Sequence, residues 1–182
     1  MLSLNRESLL INDLKNPDLK DKAFNDLLDK YQEGLYWHIR KIVISHDNAN
    51  DVLQNTFIRI YKGIHKFEGK SKLQTWMYRI AYNESLRFLE KNKRNLSQSM
   101  NDDSSYLVEN LTEDVYFNGE EIQVKLQEII SKFSNKQRLV FQMKYFDALS
   151  FKQISKILQI SENTLKSSYY SAVKIIEEKI VL

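Results

Sequence analysis

The stretch SFKQISKILQISENTLKSSYYSAVKII, residues 150–176, decides the prediction of the fold. It predicts a helix of about eight or nine residues, a turn of about three, and a longer second helix. This is the layout of a helix-turn-helix, whose second helix projects into a DNA major groove about 12 Å wide. The positions that such a unit buries are apolar, namely Ile154, Ile160, Leu165 and Ala172.

The second helix of this unit has two distinct faces when residues advance by about 100° each. Apolar side chains line the inner face, which carries Leu165, Tyr169, Ala172 and Ile176. The outer face carries side chains able to bond base edges or phosphates, and its candidates are Asn163, Thr164, Lys166, Ser167, Tyr170, Ser171 and Lys174. A plain helical hairpin with a polar outer face is the alternative. With two Lys and no Arg on that face, this unit alone should bind DNA weakly.

Two capping-box patterns divide the C-terminal part into short helices. Ser134 with Gln137, and Ser150 with Gln153, have the spacing in which the hydroxyl and the amide satisfy each other's end of the first turn. An apolar stripe from Ile122 to Phe133, directly before the first capping box, predicts one more helix. We therefore expect a bundle of four short helices.

The charge pattern divides the chain into blocks. From Arg59 to Arg94 there are ten Lys or Arg against three acids, a local balance of +7, whereas residues 95–124 contain seven acids and no Lys or Arg. A basic block followed by an acidic one suggests a polyanion-binding domain joined to a linker that nucleic acid would repel. Solvated faces of ordinary helices are the simpler explanation of such runs.

Apolar residues at three- and four-residue steps predict three helices in the N-terminal part, at 21–45, 49–65 and 73–91. They should share one core. A polar loop, 66–72, joins the last two. In the segment 69–88, aromatic side chains alternate with basic ones, a mixture suited to a separated DNA strand because bases stack on rings while cations follow the backbone. An aromatic residue at helical spacing is more often part of a core.

Three segments carry a specific resemblance: AFNDLLDKYQEGLYWHI (23–39), DVLQNTFIRIYKGIHKF (51–67) and KLQTWMYRIAYNESLRFLEK (72–91). Followed by a linker and the helix-turn-helix, they resemble extracytoplasmic-function (ECF) sigma factors of the sigma-70 family over nearly the whole chain. The sequence TLKSSYYSAVK (164–174) is most similar to that of members from the Bacteroidetes group. The resemblance implies an all-α fold with an N-terminal helical sigma-2-like domain (1–94), an acidic linker (95–120) and a C-terminal four-helix sigma-4-like domain (121–182).

The resemblance also implies functions for particular residues. Docking on the clamp helices of the largest RNA polymerase subunit would use Asp51, Gln54, Asn55 and Phe57. Contact with the −10 promoter element would use Lys70, Ser71, Lys72, Trp76, Arg79, Asn83 and Arg87. The outer face of the second helix in the helix-turn-helix would read the −35 element. In the turn, Gln159 stands where many members have Gly.

These observations favour a non-enzymatic initiation factor that brings RNA polymerase to promoter DNA and helps to open it. The three His residues lack metal-ligand spacing and no Gly-rich phosphate loop exists, so we expect no metal, cofactor, catalytic residue or small-molecule substrate. The expected partners are RNA polymerase core, promoter DNA and an anti-sigma factor. The absence of Cys, of a signal peptide and of a long apolar stretch predicts a cytoplasmic protein.

Two other functions stay open at this point. A conventional helix-turn-helix transcriptional regulator would use residues 1–95 to sense a ligand or to dimerise. It would need an apolar pocket or a dimer face in that part of the chain. An adaptor that holds polymerase without touching DNA is the other possibility.

Overall fold

The computed structural model describes residues 2–43, 45–95 and 121–180, and all regular secondary structure in these ranges is helical. The all-α prediction is therefore confirmed. A 3-10 turn at Ile64–Lys66 follows the third helix. The α-helices are α1 (Leu2–Lys15), α2 (Lys20–Val43), α3 (His46–Gly63), α4 (Leu73–Asn95), α5 (Glu121–Ser131), α6 (Asn135–Tyr145), α7 (Phe151–Leu158) and α8 (Glu162–Ile180).

The first helix, α1, was not predicted. Leu10, Ile11 and Leu14 recur at the steps of an amphipathic helix, and Leu14 is completely buried in the main core. Two further contacts tie α1 to the loop before α4. Lys15 Nζ donates to the carbonyl of Phe67 at 2.7 Å, and Glu7 Oε1 accepts from the backbone N–H of Leu73 at 2.8 Å.

The three predicted N-terminal helices pack on one another and share one core, as expected. Each supplies fully buried apolar side chains, such as Leu27 and Ile39 of α2, Ile60 of α3 and Met77 of α4. Burying an aliphatic side chain of this size contributes about 1.5–3 kcal/mol. This packing fixes α3 and α4, whose outer faces carry the candidate binding residues.

The four short C-terminal helices form the predicted bundle. Both capping boxes are present, with Ser134 and Gln137 at the start of α6 and Ser150 and Gln153 at the start of α7. Part of the bundle core is a cluster around Phe141, where α5, α6 and α8 meet; it comprises Ile129, Ile130, Phe133, Phe141 and Ala172.

The main core does not stop at the end of the N-terminal part. The same apolar cluster that contains Leu35 and Met77 also contains side chains of α6, the α6–α7 connection, α7 and α8, namely Val140, Met143, Leu149, Ile154, Ile157 and Leu165. Helix α7 lies on α4, and α6 contacts α2. Helices α6 and α8 therefore supply apolar side chains to both clusters, and α7 supplies them to the main core.

The predicted acidic linker lies outside the described residues, apart from its first position, Asn95. Within the described residues, no helix has the length and apolar character that a membrane span requires. In the same ranges, no three His, Cys, Asp or Glu side chains are grouped so that they could hold a metal ion.

Candidate nucleic-acid interface

The predicted face of α8 is exposed. Leu165 and Ala172 are completely buried, which confirms the predicted inner face. All seven candidates of the outer face are exposed. Ser161 caps the helix: its Oγ accepts from the backbone N–H of Thr164 at 3.2 Å and lies 2.8 Å from the Thr164 hydroxyl. The cap leaves the start of α8 open to solvent, where a phosphate can approach.

Within this face, some side chains already have partners. Ser171 accepts a long hydrogen bond from Gln137 Nε2 at 3.4 Å, and Lys174 lies 3.8 Å from a carboxylate oxygen of Glu178. Tyr170 is 61% exposed, with its ring 6.3 Å from the Phe151 ring. A large exposed ring among polar side chains is available for contact with a sugar or a base.

The turn of the helix-turn-helix contains a non-Gly residue in the left-handed region. Gln159 has φ 58° and ψ 38°, and its N–H donates to the carbonyl of Ser155 at 2.9 Å. This is the geometry in which Gly is favoured after a helix. Gln159 therefore takes a backbone conformation that is strained for a residue with a side chain.

The predicted basic-aromatic residues fall into two groups. Lys70, Ser71, Trp76 and Arg79 line one cleft of about 440 Å³. Trp76 is half-buried, and its ring centroid lies 5.3 Å from that of Phe67. The other three candidates, Lys72, Asn83 and Arg87, are exposed but do not line this cleft.

A buried carboxylate restrains one of these candidates. Glu84 is 8% exposed, and it pairs with both Arg87 and Arg59, the latter at 2.7 Å. The charge of Arg87 is therefore partly neutralised in this arrangement. The sequence indicated neither the burial of Glu84 nor the link that it makes between α3 and α4.

On α3, three of the four predicted docking residues share an exposed face. Asp51, Gln54 and Asn55 are exposed, and one turn further on Ile58 is 50% exposed, which makes it an apolar neighbour that sequence reasoning missed. Phe57 does not belong to this face, because its side chain is 9% exposed and its ring meets Phe24 edge-on at 6.2 Å. Phe57 therefore packs in the core beneath this face, and its use in docking stays a prediction.

The cleft has a second wall that the sequence did not predict. Ser155, Lys156 and Gln159, at the end of α7, face the loop and α4. Lys156 Nζ donates to the carbonyl of Lys70 at 3.1 Å. One turn earlier on α7, the capping residue Gln153 donates from Nε2 to the hydroxyl of Thr75 at 3.1 Å.

A buried ion cluster lies where α6 meets α2. The side chain of Asp147 is 4% exposed, and its two oxygens accept from His38 Nδ1 at 2.6 Å and from Lys41 Nζ at 3.1 Å. Lys41 also lies 4.6 Å above the Phe146 ring. Nδ1 of His38 must carry the hydrogen here, because an ionised carboxylate only accepts.

Burial and charge shift the pKa values in this cluster. Burial of Asp147 by itself favours its neutral form, but the hydrogen bond and charge of His38, with those of Lys41, hold the carboxyl pKa below its usual value. Burial lowers the pKa of Lys41, although the charge and the hydrogen bond of Asp147 act in the opposite direction. Burial and the nearby Asp147 raise the pKa of Tyr78 to about 12. We conclude that Asp147 is ionised at neutral pH.

Fold and site together define a helical DNA-binding protein with two candidate nucleic-acid surfaces and one candidate docking face. Two family models match the corresponding parts of the chain: sigma-70 region 2 over residues 27–95 and sigma-70 region 4 over residues 123–176. The chain therefore belongs to the sigma-70 family, in its ECF group. The match of residues 27–95 disfavours a regulator that would use this part for ligand sensing or dimerisation.

Curated relatives of the same group cover most of the chain. SigW of Bacillus subtilis, an ECF RNA polymerase sigma factor, is 29% identical over 80% of this chain and 82% of its own length. The ECF RNA polymerase sigma-E factor of Haemophilus influenzae is 29% identical over 87% of this chain and 88% of its own. RNA polymerase sigma-H factor of Pseudomonas aeruginosa is 25% identical over 98% of this chain and 95% of its own length.

Solved structures have a similar fold. CnrH, solved in complex with the cytosolic domain of CnrY, has a TM-score of 0.67 at 16% identity and covers 94% of this chain and 95% of its own. The sigma factor RpoE of Bartonella quintana, solved with the anti-sigma factor NepR, has a TM-score of 0.71 at 19% identity, covering 88% of this chain and 98% of its own.

Proposed function

We propose that this sigma factor directs RNA polymerase core to promoters through two DNA-contacting surfaces and assists opening of the duplex. The observation that carries this proposal is the presence of both surfaces in one chain. One is the exposed polar face of α8, and the other is the basic-aromatic cleft lined by Trp76 and Arg79. The first suits duplex DNA in a major groove, and the second suits an unpaired strand.

For the −35 element, α8 supplies the reading surface. Lys166 and Lys174 act mainly on phosphates, since ammonium groups carry charge without a fixed directional pattern. Asn163, Thr164 and Ser167, near the start of the helix, bond base edges. The remaining contacts come from Tyr170 and Ser171.

For the −10 element, the loop before α4 and the first turns of α4 form the reading surface. The ring of Trp76, half-buried against Phe67, offers a partly exposed surface on which a base can stack. Cations beside it neutralise the backbone of the strand, and polar side chains complete the surface. The proposed set is Lys70, Ser71, Lys72, Trp76, Arg79, Asn83 and Arg87.

For core polymerase, the proposed docking face is the exposed side of α3. Asp51, Gln54 and Asn55 provide polar contacts. Ile58, which is 50% exposed, provides an apolar centre among them. An exposed apolar side chain within a polar rim is common at protein interfaces. The partner surface is the clamp helices of the largest subunit.

One further partner, a cellular location and an absence complete the proposal. The two solved neighbours form complexes with CnrY and with the anti-sigma factor NepR, which supports an anti-sigma factor as regulator of this chain. The protein acts in the cytoplasm, where polymerase and promoter DNA meet. It has no catalytic step, cofactor or small-molecule substrate of its own.

The test is reconstituted transcription. Core polymerase with the full-length protein should give transcripts from promoters selected out of a random DNA library, and core alone should not. The double variant Asp51→Ala/Gln54→Ala should bind core at least about tenfold more weakly, because two interface contacts of about 1 kcal/mol each are lost.

The matched control is Asn25→Ala with Gln32→Ala, an exposed polar pair on α2. It should bind core like the parent. Absence of any selected promoter would contradict the function itself. Unchanged core binding by the α3 double variant, with a native circular dichroism spectrum, would contradict only the docking face.

A further inference from the structure

The cleft beside Trp76 has two walls that come from distant parts of the chain. One wall is the loop before α4 with the first turns of α4, and the other is the end of α7. Lys156 of α7 joins the walls by donating to the carbonyl of Lys70 at 3.1 Å. The volume of about 440 Å³ lies within the roughly 300–1,000 Å³ that is typical of small-ligand sites. The cleft is therefore large enough to hold a small molecule.

The charge of this cleft is strongly positive. Four of its lining residues are basic, namely Lys66, Lys70, Arg79 and Lys156, and one, Glu68, is acidic. Glu68 pairs with Lys70, which leaves three basic groups without an acid among the lining residues. Ammonium and guanidinium groups gathered around one cavity favour a phosphorylated ligand, because charge-assisted hydrogen bonds to phosphate oxygens are strong.

The cleft also has an aromatic surface. The indole of Trp76 is held by its surroundings: its centroid lies 5.3 Å from that of Phe67, and a Cβ added at Gly63 would lie 3.6 Å from its six-membered ring. Trp76 is only half-buried by this packing, and it lines the cleft. A purine or pyrimidine base stacks on such a ring. An aromatic ring beside phosphate-binding cations is an arrangement that suits a nucleotide.

We propose that this cleft binds a free nucleoside diphosphate. Its base stacks on Trp76, and its phosphates contact basic groups of both walls, Arg79 on α4 and Lys156 on α7. A base with a phosphate could also belong to a DNA strand, and the two sources differ at Lys156. This side chain lies outside the set proposed for the −10 element, so a free nucleotide uses it and the strand does not. The site needs neither polymerase nor promoter and stands independently of the proposed function.

Calorimetric titration of the full-length protein with ADP, adenosine and inorganic pyrophosphate separates the base from the phosphates. ADP should bind about tenfold or more tightly than either other probe, because it makes both kinds of contact at once. Added salt should weaken ADP binding more than adenosine binding, since only ADP is charged. Equal affinities for ADP and pyrophosphate would overturn the proposal, because the cleft would then attract phosphate without binding a base.

Lys156→Gln is the principal variant, because an exposed side chain can lose its charge without disturbing the core. It should weaken ADP binding about fivefold or more, and it should change the affinity for adenosine and for fluorescent oligo(dT) by less than about twofold. Lys152→Gln, also exposed on α7 but outside the cleft, makes the same charge change and should bind all three probes like the parent.

Two results with this pair of variants would overturn the proposal. An equal loss of ADP affinity in Lys156→Gln and Lys152→Gln would show a general attraction by surface charge. A parallel loss of ADP and oligo(dT) affinity in Lys156→Gln would assign this side chain to the DNA strand, and no separate nucleotide site would remain.

Trp76→Leu removes the stacking surface and keeps the cations. ADP and adenosine should each bind about tenfold more weakly, and pyrophosphate binding should be unchanged. Should this variant fail to fold, Trp37→Phe leaves Trp76 as the single indole, and ADP should quench its fluorescence. Unchanged fluorescence at saturating ADP would overturn the stacked base. If ADP does not bind but selected promoters are transcribed, only this site fails; if ADP binds as expected but no promoter is transcribed, only the proposed function fails.

Discussion

At the scale of single residues, the turn of the helix-turn-helix stores strain at Gln159. A non-Gly residue in the left-handed region costs roughly 1–2 kcal/mol, whereas Gly costs about 0.5–1 kcal/mol through the freedom that it adds to the unfolded chain. Gln159→Gly should therefore raise the free energy of unfolding by about 0.5–1 kcal/mol in urea titrations. Lys152→Gly, in the first turn of α7, is the control and should lower it by up to about 1 kcal/mol. A loss on Gln159→Gly would mean that its side chain stabilises the turn.

The residue scale is also where sequence reasoning had the least information. The inner face of α8 and both capping boxes follow from spacings of three or four residues, and each was predicted correctly. The resemblance placed Phe57 among the docking residues, and only the structure shows that its ring packs against Phe24 in the core. Whether an aromatic side chain turns inward depends on neighbours that are distant in sequence.

At the scale of elements, α1 fixes the loop that precedes α4. The Glu7 carboxylate accepts from the first N–H of α4, where a negative charge is also favoured by the helix dipole. Glu7→Ala should lower the free energy of unfolding by about 1–2 kcal/mol, and Glu7→Gln by about half as much, because the amide keeps an acceptor but loses the charge.

Oligo(dT) binding gives a second readout for α1. If the cap holds the loop in its strand-binding shape, Glu7→Ala should also weaken the binding of fluorescent oligo(dT) to the cleft of Trp76 and Arg79. Asp29→Ala, which removes an exposed acid from α2, should change neither quantity. Equal stabilities of Glu7→Ala and the parent would show that water replaces the cap without cost.

At the scale of the whole molecule, the sequence predicted every described α-helix except α1, but not the packing of the two domains. Periodicity within a helix identifies an apolar face and cannot say which other helix covers it. His38 and Asp147 are 109 positions apart, and neither lies in a motif that would suggest the pair. Ile154 was correctly predicted to be a buried apolar position of the helix-turn-helix, but it belongs to a core that also contains Leu35 and Met77.

A core that spans both domains has a consequence for unfolding. Elements that share buried apolar side chains lose them together, so the folded protein should unfold in one cooperative transition. Both Trp residues, Trp37 and Trp76, lie in the N-terminal part, whereas far-ultraviolet circular dichroism reports helices in both. In urea, the fluorescence and dichroism transitions of the parent should coincide.

Asp147→Asn should move both transitions together to a lower urea concentration, because it removes the charge that His38 and Lys41 bind while the shared apolar core stays intact. The two midpoints should still coincide. Glu128→Gln, which makes the same charge change at an exposed position, should leave the midpoint at the parent value. Two separate transitions in the parent protein would contradict the shared core, because they would require the α4–α7 and α2–α6 contacts to contribute too little free energy to couple the domains.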